Sequence, residues 1–350
     1  MAPIRLLNLF AVLSVALLAS TFNVPVAALS NTHGHPHLNR QLDHSEIARK
    51  VSKRGTSKRC KPKTSAPGTT STPVITTTVS LPPPVKTTSA KPPPPTTSPA
   101  SPPPPPPPSG NKKLLVGWNN QADIGVTVGK NTWGYYTWSS WAVTPSHNLP
   151  FLSMLWGGSS DKISQFETNI KGPGDGRWIL GFNEPNEDSQ SKMDVGTAVS
   201  VWNQHIQPKK NAGFNLVSPA PTNSPTGKTW LQAFFAQCGG CTIDAVAVHI
   251  YTTSSKDAID FINDYHTTFN RPIMVTEFAC QNFGGGAQCS QDQAWSFYQD
   301  ILGFAQATPW IIAVAPFSLL NDMGNVSPVN QGLRDSQLTD LGQFIVNGNW

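Results

Sequence analysis

Eight short apolar runs, all within residues 111–350, constrain the fold of this chain more than any other feature of its sequence. Between most of them lie segments whose apolar residues recur at helical spacing, most clearly over residues 258–269. Strands that alternate with helices favour a parallel sheet wrapped by helices, and eight of them predict an α/β chain folded as a (β/α)8 TIM barrel. The runs are Lys113–Trp118, Tyr135–Ser139, Phe151–Trp156, Trp178–Asn183, Leu216–Ala220, Ala245–Tyr251, Ile273–Phe278 and Ile311–Ser318.

An open, doubly wound sheet is the alternative arrangement for alternating strands and helices. Such a sheet is expected to carry a glycine-rich phosphate loop after its first strand. The first run instead ends in Gly117-Trp118-Asn119-Asn120, which is no such loop. The closed barrel is therefore preferred, with further helices predicted over Asp161–Ile170, Asp194–Gln207, Thr229–Ala236 and Gln291–Ala307.

The first 110 residues differ in composition from the rest of the chain. Residues 61–110 hold 18 of the 33 prolines and no acidic residue, so they cannot bury a core and predict an extended spacer. An apolar run after Arg5 is typical of a secretory signal peptide. We expect a signal peptide over residues 1–28, a basic propeptide-like segment over 29–59, and a disordered Pro/Ser/Thr-rich linker over 60–110.

Charge and hydropathy limit the kinds of partner that residues 111–350 can have. Residues 111–350 carry 13 Lys or Arg against 18 Asp or Glu, which argues against a nucleic-acid ligand. They hold no apolar run of the ~18 residues that a membrane helix needs. We therefore expect a monomer that is secreted to the extracellular space or cell wall, with no membrane association after the signal peptide is removed.

The barrel region contains four cysteines, which we expect to form disulfides because a secreted protein folds in an oxidising compartment. Of the three possible pairings, Cys238 with Cys241 and Cys280 with Cys289 are favoured because each closes a short loop. The Cys-x-x-Cys spacing of the first pair also allows a redox pair or half of a zinc site. Cys60 stands alone, and its fate is open.

Two glutamates stand at the ends of apolar runs. Glu184 ends the fourth run and Glu277 ends the seventh. In a barrel of this kind the chemistry sits at the carboxyl ends of the strands, and two opposed carboxylates there suit the cleavage of a glycosidic bond. Asn183 beside the first glutamate can hydrogen-bond a sugar hydroxyl. For either glutamate alone, a buried salt bridge or a helix cap is the alternative.

Aromatic residues near the strand ends add to a sugar-binding interpretation. Flat rings at the rim of a cleft can stack on the apolar faces of glucose units, although any single tryptophan can equally belong to the core. The candidates are Trp118, Trp138, Trp156 and Tyr251. Other acids near strand ends can touch substrate, and for the first two we expect solvated loop positions: Glu187, Asp188 and Asp322.

Five segments in order resemble one known family over about residues 112–350. The segments are Leu115–Asn119, Gly181–Asn186, Val217–Ala220, His249–Tyr251 and Val275–Phe278, and they resemble the fungal glycosyl hydrolase catalytic core of glycoside hydrolase family 128. The resemblance implies a retaining, endo-acting cleavage of β-1,3-glucan, with the polysaccharide or its oligosaccharides as partner. No cofactor or metal is expected.

The same resemblance implies roles for individual residues. Glu184 would be the acid/base and Glu277 the nucleophile. His249 and Tyr251 would support the nucleophile or line the site, with a hydrogen-bonded core position as the alternative for His249. The substrate-binding candidates are then Asn183, Trp118, Asn119, Trp138, Trp156, His249 and Tyr251.

Two functions of different classes follow from these observations. The first is a secreted retaining β-1,3-glucanase, and the second is a cell-wall protein that binds β-glucan without cleaving it. The enzyme hypothesis predicts that the carboxyl groups of Glu184 and Glu277 lie about 5 to 5.5 Å apart, the spacing of retaining enzymes. It also predicts a raised pKa for Glu184 and an ionised Glu277.

Overall fold

A parallel strand forms at each of the eight apolar runs within residues 112–119 and 122–350, which the computed structural model of the protein describes. The signal peptide, propeptide-like segment and linker expected over residues 1–110 lie outside the described residues, as does Cys60. Strands β1 to β8 are Leu114–Gly117, Thr132–Tyr136, Ser153–Met154, Trp178–Leu180, Asn215–Val217, Val246–Thr252, Ile273–Cys280 and Ile311–Pro316.

Strand pairing runs in a closed circle. The strands form two arcs, a five-stranded arc in the order β2-β1-β8-β7-β6 and a three-stranded arc in the order β3-β4-β5. A single bridge joins the arcs at each seam: Tyr135 pairs with Phe151, and Val217 pairs with Ala245. Each strand therefore pairs with the next, and β8 returns to β1. This ring confirms the barrel and leaves none of the edge strands that an open sheet would have.

The helices follow the strands much as the spacing predicts. The helix over Gln291–Ala307 begins with a capping box, in which the Ser290 side chain accepts from the backbone N–H of Gln293 and the Gln293 side chain accepts from the backbone N–H of Ser290. The helix predicted over 194–207 is interrupted by a π-helical turn at Trp202–Ile206. Helices α1 to α7 are Ser160–Asn169, Val195–Val201, Gln207–Asn211, Pro225–Gln237, Ser255–Phe269, Gln291–Ala307 and Asp340–Asn347.

Two apolar clusters fill the space on either side of the sheet. In β1, Leu114 and Val116 belong to the cluster shared with the helices, whereas Leu115 belongs to the cluster inside the barrel. This alternation is the period of two that a strand imposes. The interior cluster includes Met274 and Ile312, which are almost fully buried. Some buried polar side chains lie in or just after the strands, among them Asn183, Glu184, His249 and Glu277.

Two disulfides close local loops near strand and helix ends. Cys238, at the end of α4, is joined to Cys241, and Cys280, at the end of β7, is joined to Cys289. Within residues 112–119 and 122–350, none of the helices is long and apolar enough to cross a membrane.

Candidate active site

Glu184 lies just beyond β4 and is 1% exposed. Its backbone has a φ of 42°, a left-handed conformation that is uncommon for residues other than glycine. Hydrogen bonds on both sides hold this conformation, since the Glu184 amide donates to the carbonyl of Ala220 at 2.8 Å and the Glu187 amide donates to the carbonyl of Glu184 at 3.0 Å. Backbone conformations of this kind cluster at functional sites.

Glu277 lies in β7, and His249 in β6 lies between it and Glu184. The His249 Nδ1 atom is 2.8 Å from Glu184 Oε1 and 3.5 Å from Glu277 Oε2. One ligand atom from each of the three residues lies within 4.8 Å of the others, and all three side chains are buried. The sequence predicts this convergence of the fourth and seventh strand ends. Among the described residues, this trio could also hold a metal ion.

Two donors fix the orientation of the Glu277 carboxyl group. Trp138 Nε1 donates to Oε1 at 2.7 Å, and the Tyr251 hydroxyl donates to Oε2 at 2.7 Å. Each carboxyl oxygen thus accepts a hydrogen bond from a different residue. A carboxylate held in this way cannot rotate freely about its terminal bond.

Burial dominates the proton equilibria of this cluster. It raises the pKa of the Glu277 carboxyl, a protonated His249 would oppose that shift, and negative charge at Glu184 adds to it. The hydrogen bonds from Tyr251 and Trp138 also favour the ionised form, but they do not offset the loss of water. Burial likewise lowers the pKa of His249, which favours a neutral imidazole. Burial therefore works against the ionised Glu277 that the sequence predicts, whereas the hydrogen bonds from Trp138 and Tyr251 favour it.

The predicted aromatic rim is largely buried. Trp118 is 0% exposed and packs in the cluster shared with the helices, so it offers no face to a sugar. Trp138 is 5% exposed and has a φ of 51°, and its ring packs inside the barrel against Tyr136 and Phe317. The expectation that these two tryptophans form rim platforms is wrong in both cases, because their backbone positions direct the rings into packed space. Trp156 is partly exposed, with Lys162 Nζ 5.3 Å from the centre of its ring.

Two asparagines lie close to the strand ends. Asn183 is 1% exposed, and its Nδ2 donates to Gln190 Oε1 at 3.1 Å. Its Oδ1 is buried and has no hydrogen-bond partner among the described residues. The Asn119 Oδ1 atom, in a partly exposed residue, is in the same condition. Both amide oxygens are acceptors that a sugar hydroxyl could satisfy.

The sequence pattern does not predict a role for Tyr136. Its hydroxyl donates to the carbonyl of Thr276, the residue before Glu277, at 2.5 Å. Burial raises the pKa of Tyr136 well above its usual range, and the two glutamates add to that effect, so the hydroxyl stays a donor. The sequence signal that could have found it is spacing. Tyr136 is two positions before Trp138, and both rings belong to the interior cluster.

Glu187 does not hold the solvated loop position that the sequence suggests. It is partly buried, and its Oε1 accepts from Thr222 Oγ1 at 2.7 Å, from Asn186 Nδ2 at 2.8 Å and from Ser224 Oγ at 3.0 Å. It thereby ties the loop after β4 to the loop after β5. Asp188 is exposed and pairs with Lys192, as expected of a surface acid.

The family model described as "Glycosyl hydrolase catalytic core" matches residues 115–344. The chain belongs to this family. The match spans both glutamates and every sequence-predicted candidate for substrate binding. The resemblance to the fungal glycosyl hydrolase catalytic core is thereby confirmed.

One curated protein shares sequence with most of the barrel. It is alkali-sensitive linkage protein 1 of Schizosaccharomyces pombe, which is 26% identical over 238 residues that cover 66% of this chain and 44% of that protein. The chain thus spans less than half of the length of the curated relative that it matches.

Solved structures of glycoside hydrolase family 128 share the fold. A subgroup II endo-β-1,3-glucanase from Sorangium cellulosum is 28% identical, with a TM-score of 0.58 and coverage of 67% of this chain and 97% of that one. A subgroup VII oligosaccharide-binding protein from Trichoderma gamsii is 26% identical, also with a TM-score of 0.58, and the match covers 68% and 93% of the two chains. The similar members thus differ in their described activities.

Proposed function

We propose that this protein is a secreted, retaining glycoside hydrolase that cleaves internal β-1,3-glucosidic bonds of glucan. The observation that carries the proposal is the buried carboxyl pair, in which one oxygen each of Glu184 and Glu277 lies within 4.8 Å of the other. Such a close approach leaves little room for the water that an inverting enzyme places between its carboxyl groups, and it suits direct attack by one of them. The similarity to an endo-β-1,3-glucanase supports the choice of linkage.

The proposed reaction is a double displacement. A protonated Glu184 gives its proton to the glycosidic oxygen while a Glu277 oxygen attacks the anomeric carbon, so the bond to the leaving sugar breaks and a glycosyl ester forms. Ionised Glu184 then takes a proton from water, and the water oxygen attacks the same carbon and releases the Glu277 carboxylate. Each step forms one bond to the anomeric carbon and breaks one, and two inversions retain the configuration.

Neighbouring residues supply orientation in this scheme. Trp138 and Tyr251 aim the two oxygens of Glu277, and Tyr136 holds the backbone just before it. Neutral His249 donates through Nδ1 to ionised Glu184, which stabilises the form that accepts a proton from water. The buried Oδ1 of Asn183 is available to accept a hydrogen bond from a sugar hydroxyl.

A binding protein without turnover is the second candidate. The comparable identity to an oligosaccharide-binding member of the same structural family favours it. The retained carboxyl pair favours the enzyme, because binding alone does not require two buried acids that approach each other closely. The two candidates differ in one measurable way: only the enzyme releases new reducing ends.

The test of the proposal is a side-by-side assay on laminarin, cellulose and a β-1,6-glucan. We expect oligosaccharides of mixed length from laminarin, and loss of that activity in Glu184→Gln and Glu277→Gln. Release of only the smallest product from the start would replace endo by exo action. Retained binding with no products from any polymer would support the binding protein.

Azide assigns the two roles separately. In Glu184→Ala, azide should attack the glycosyl ester in place of water and yield the β-glycosyl azide from an aryl laminaribioside. In Glu277→Ala, azide should fill the space of the missing carboxylate and yield the α-glycosyl azide. Swapped products would reverse the assignments, and an α-anomer as first product of the unaltered protein would overturn retention.

Secretion and processing are part of the same proposal. The signal peptide over residues 1–28, the propeptide-like segment over 29–59 and the linker over 60–110 predict a mature chain that begins within or after these segments. The two local disulfides support an oxidising compartment. Amino-terminal sequencing of the protein from culture medium, with peptide mapping without reduction, tests both points. Recovery of the full chain from the cytosol with free thiols would contradict them.

A further inference from the structure

The loop between β7 and α6 has a shape held by its own bonds. It begins after Cys280, three residues beyond Glu277, and the disulfide to Cys289 closes it. Inside the loop, the Asn282 amide donates to Gln288 Oε1 at 2.9 Å, and Gln288 Nε2 donates back to the carbonyl of Asn282 at 2.6 Å. A side chain carried by this loop is therefore placed in advance of any ligand.

Phe283 is the aromatic residue of that loop. Its ring centre is 5.0 Å from the ring centre of Tyr251, at an angle of 56°. The Tyr251 hydroxyl donates to Glu277 Oε2 at 2.7 Å, so Phe283 lies one ring away from a carboxyl oxygen of the site. Phe283 is partly exposed, and the four residues that follow it, 284–287, are all exposed.

Exposure separates Phe283 from three buried rings of the site region, although it shares partial exposure with Trp156. Trp118, Trp138 and Tyr251 are each less than 10% exposed, and their faces are covered by protein. A partly open phenyl ring that rests on a ring holding the carboxylate is positioned to meet the apolar face of a bound sugar. Phe283 is thus partly exposed and lies in a loop with its own internal bonds, whereas Trp118 and Trp138 are buried.

We propose that Phe283 forms an aromatic wall of the glucan site and stacks on a glucose unit bound beside Glu277. The inference rests on the proposed function, since it names a contact for the same substrate. The disulfide-closed loop sets the distance of the wall from the carboxyl pair. Phe283 is a specificity residue in this scheme and takes no part in proton transfer or bond formation.

The chain offers a matched control for a substitution at Phe283. Phe261 in α5 is also a partly exposed phenylalanine that packs against a tyrosine, Tyr265, with ring centres 4.3 Å apart. Tyr265 belongs to the cluster shared with the helices, away from the interior cluster that contains Tyr251. Loss of either ring removes a similar contact, but only Phe283 lies near the carboxyl pair.

The experiment measures binding of laminaripentaose by titration calorimetry in Glu184→Gln, which prevents turnover. Adding Phe283→Ala should raise the Kd roughly five- to tenfold, as expected for a lost stacking ring. Adding Phe283→Tyr should keep the Kd close to that of the parent, and Phe261→Ala should leave it unchanged. In the active protein, Phe283→Ala should raise KM by a similar factor and leave the pH profile in place, because the bond from Tyr251 to Glu277 remains.

Separate results overturn separate claims. An unchanged Kd in Phe283→Ala, while the parent binds, overturns the wall alone. A shifted pH profile in Phe283→Ala, with its Kd unchanged, would mean that the ring only positions Tyr251 and would also overturn the wall. If the parent does not bind and the unaltered protein does not cleave any β-1,3-glucan, the proposed function fails and the wall fails with it.

Discussion

The substitution Trp138→Phe distinguishes two roles for this residue, a platform for sugar and a hydrogen-bond donor to a carboxylate. Phenylalanine retains an aromatic ring but lacks the N–H group. In the structure Trp138 Nε1 donates to Glu277 Oε1 at 2.7 Å, and Trp138 is 5% exposed. If the N–H group matters, Trp138→Phe should impair catalysis even though an aromatic ring remains. If the ring matters, the same substitution should preserve most of the binding and the activity.

The size of the effect follows from the contact that is lost. A hydrogen bond to a charged group contributes about 1.5–3 kcal/mol, and about 1.4 kcal/mol corresponds to a factor of ten in rate. Burial already raises the pKa of Glu277, and the bond from Trp138 opposes that shift. Losing the bond should move the acid limb of the activity profile to higher pH. At a pH on that limb, kcat/KM should fall by roughly tenfold or more.

The assay is hydrolysis of laminarin over a range of pH, with Trp230→Phe as control. Trp230 also donates through Nε1, at 2.8 Å to the carbonyl of Met193, but it lies on α4 outside the barrel. The control should leave the profile in place. An unmoved acid limb in Trp138→Phe would refute the role of the N–H group in setting the pKa of Glu277.

Two further predictions concern stability. Glu277→Gln should raise the free energy of unfolding at neutral pH. Burial raises the native pKa of Glu277, so its favourable contribution to stability is present at low pH, where it is protonated. That contribution is lost as the pH rises through the native pKa, whereas glutamine stays neutral. Denaturant unfolding at pH 4 and pH 7 should show the gain only at the higher pH, and an equal gain at both would contradict this reasoning. Asn330→Ala should destabilise the protein by about 3 kcal/mol, since Asn330 is fully buried and its amide pairs with both the N–H and the C=O of Cys280, each costly to leave unsatisfied. A change below about 1 kcal/mol in urea unfolding would show that water replaces the amide.

The sequence predicts the position of the carboxyl pair well because topology alone determines it. Once Glu184 and Glu277 are assigned to strand ends of a closed parallel barrel, their side chains must approach one another at the same mouth. The strand runs are equally predictable, since their apolar residues have no other place to be buried. In both cases a local pattern and the global fold point to the same answer.

The orientation of single side chains is not predictable in this way. Trp138 reaches Glu277 because its backbone has a φ of 51°, and Glu184 has a φ of 42°. Left-handed conformations at residues other than glycine are imposed by tertiary contacts, and the local sequence does not encode them. The same holds for Glu187, whose three partners come from two loops that are distant in sequence.

The two seams of the barrel have a consequence for how wide the gap between the carboxyl groups is. Glu184 follows a strand of the three-stranded arc, whereas Glu277 belongs to the five-stranded arc, and only one bridge joins the arcs at each seam. The spacing of the pair therefore depends on how the two arcs meet, and a small shift of one arc against the other at either seam would change it. Amide protons beside Phe151 and Ala245 should exchange with solvent faster than amide protons in the middle of either arc. A sugar that contacts both glutamates should slow this exchange, because it links the two arcs. Directed evolution of this scaffold would then find rate-changing substitutions at the seams, at residues that take no part in the chemistry.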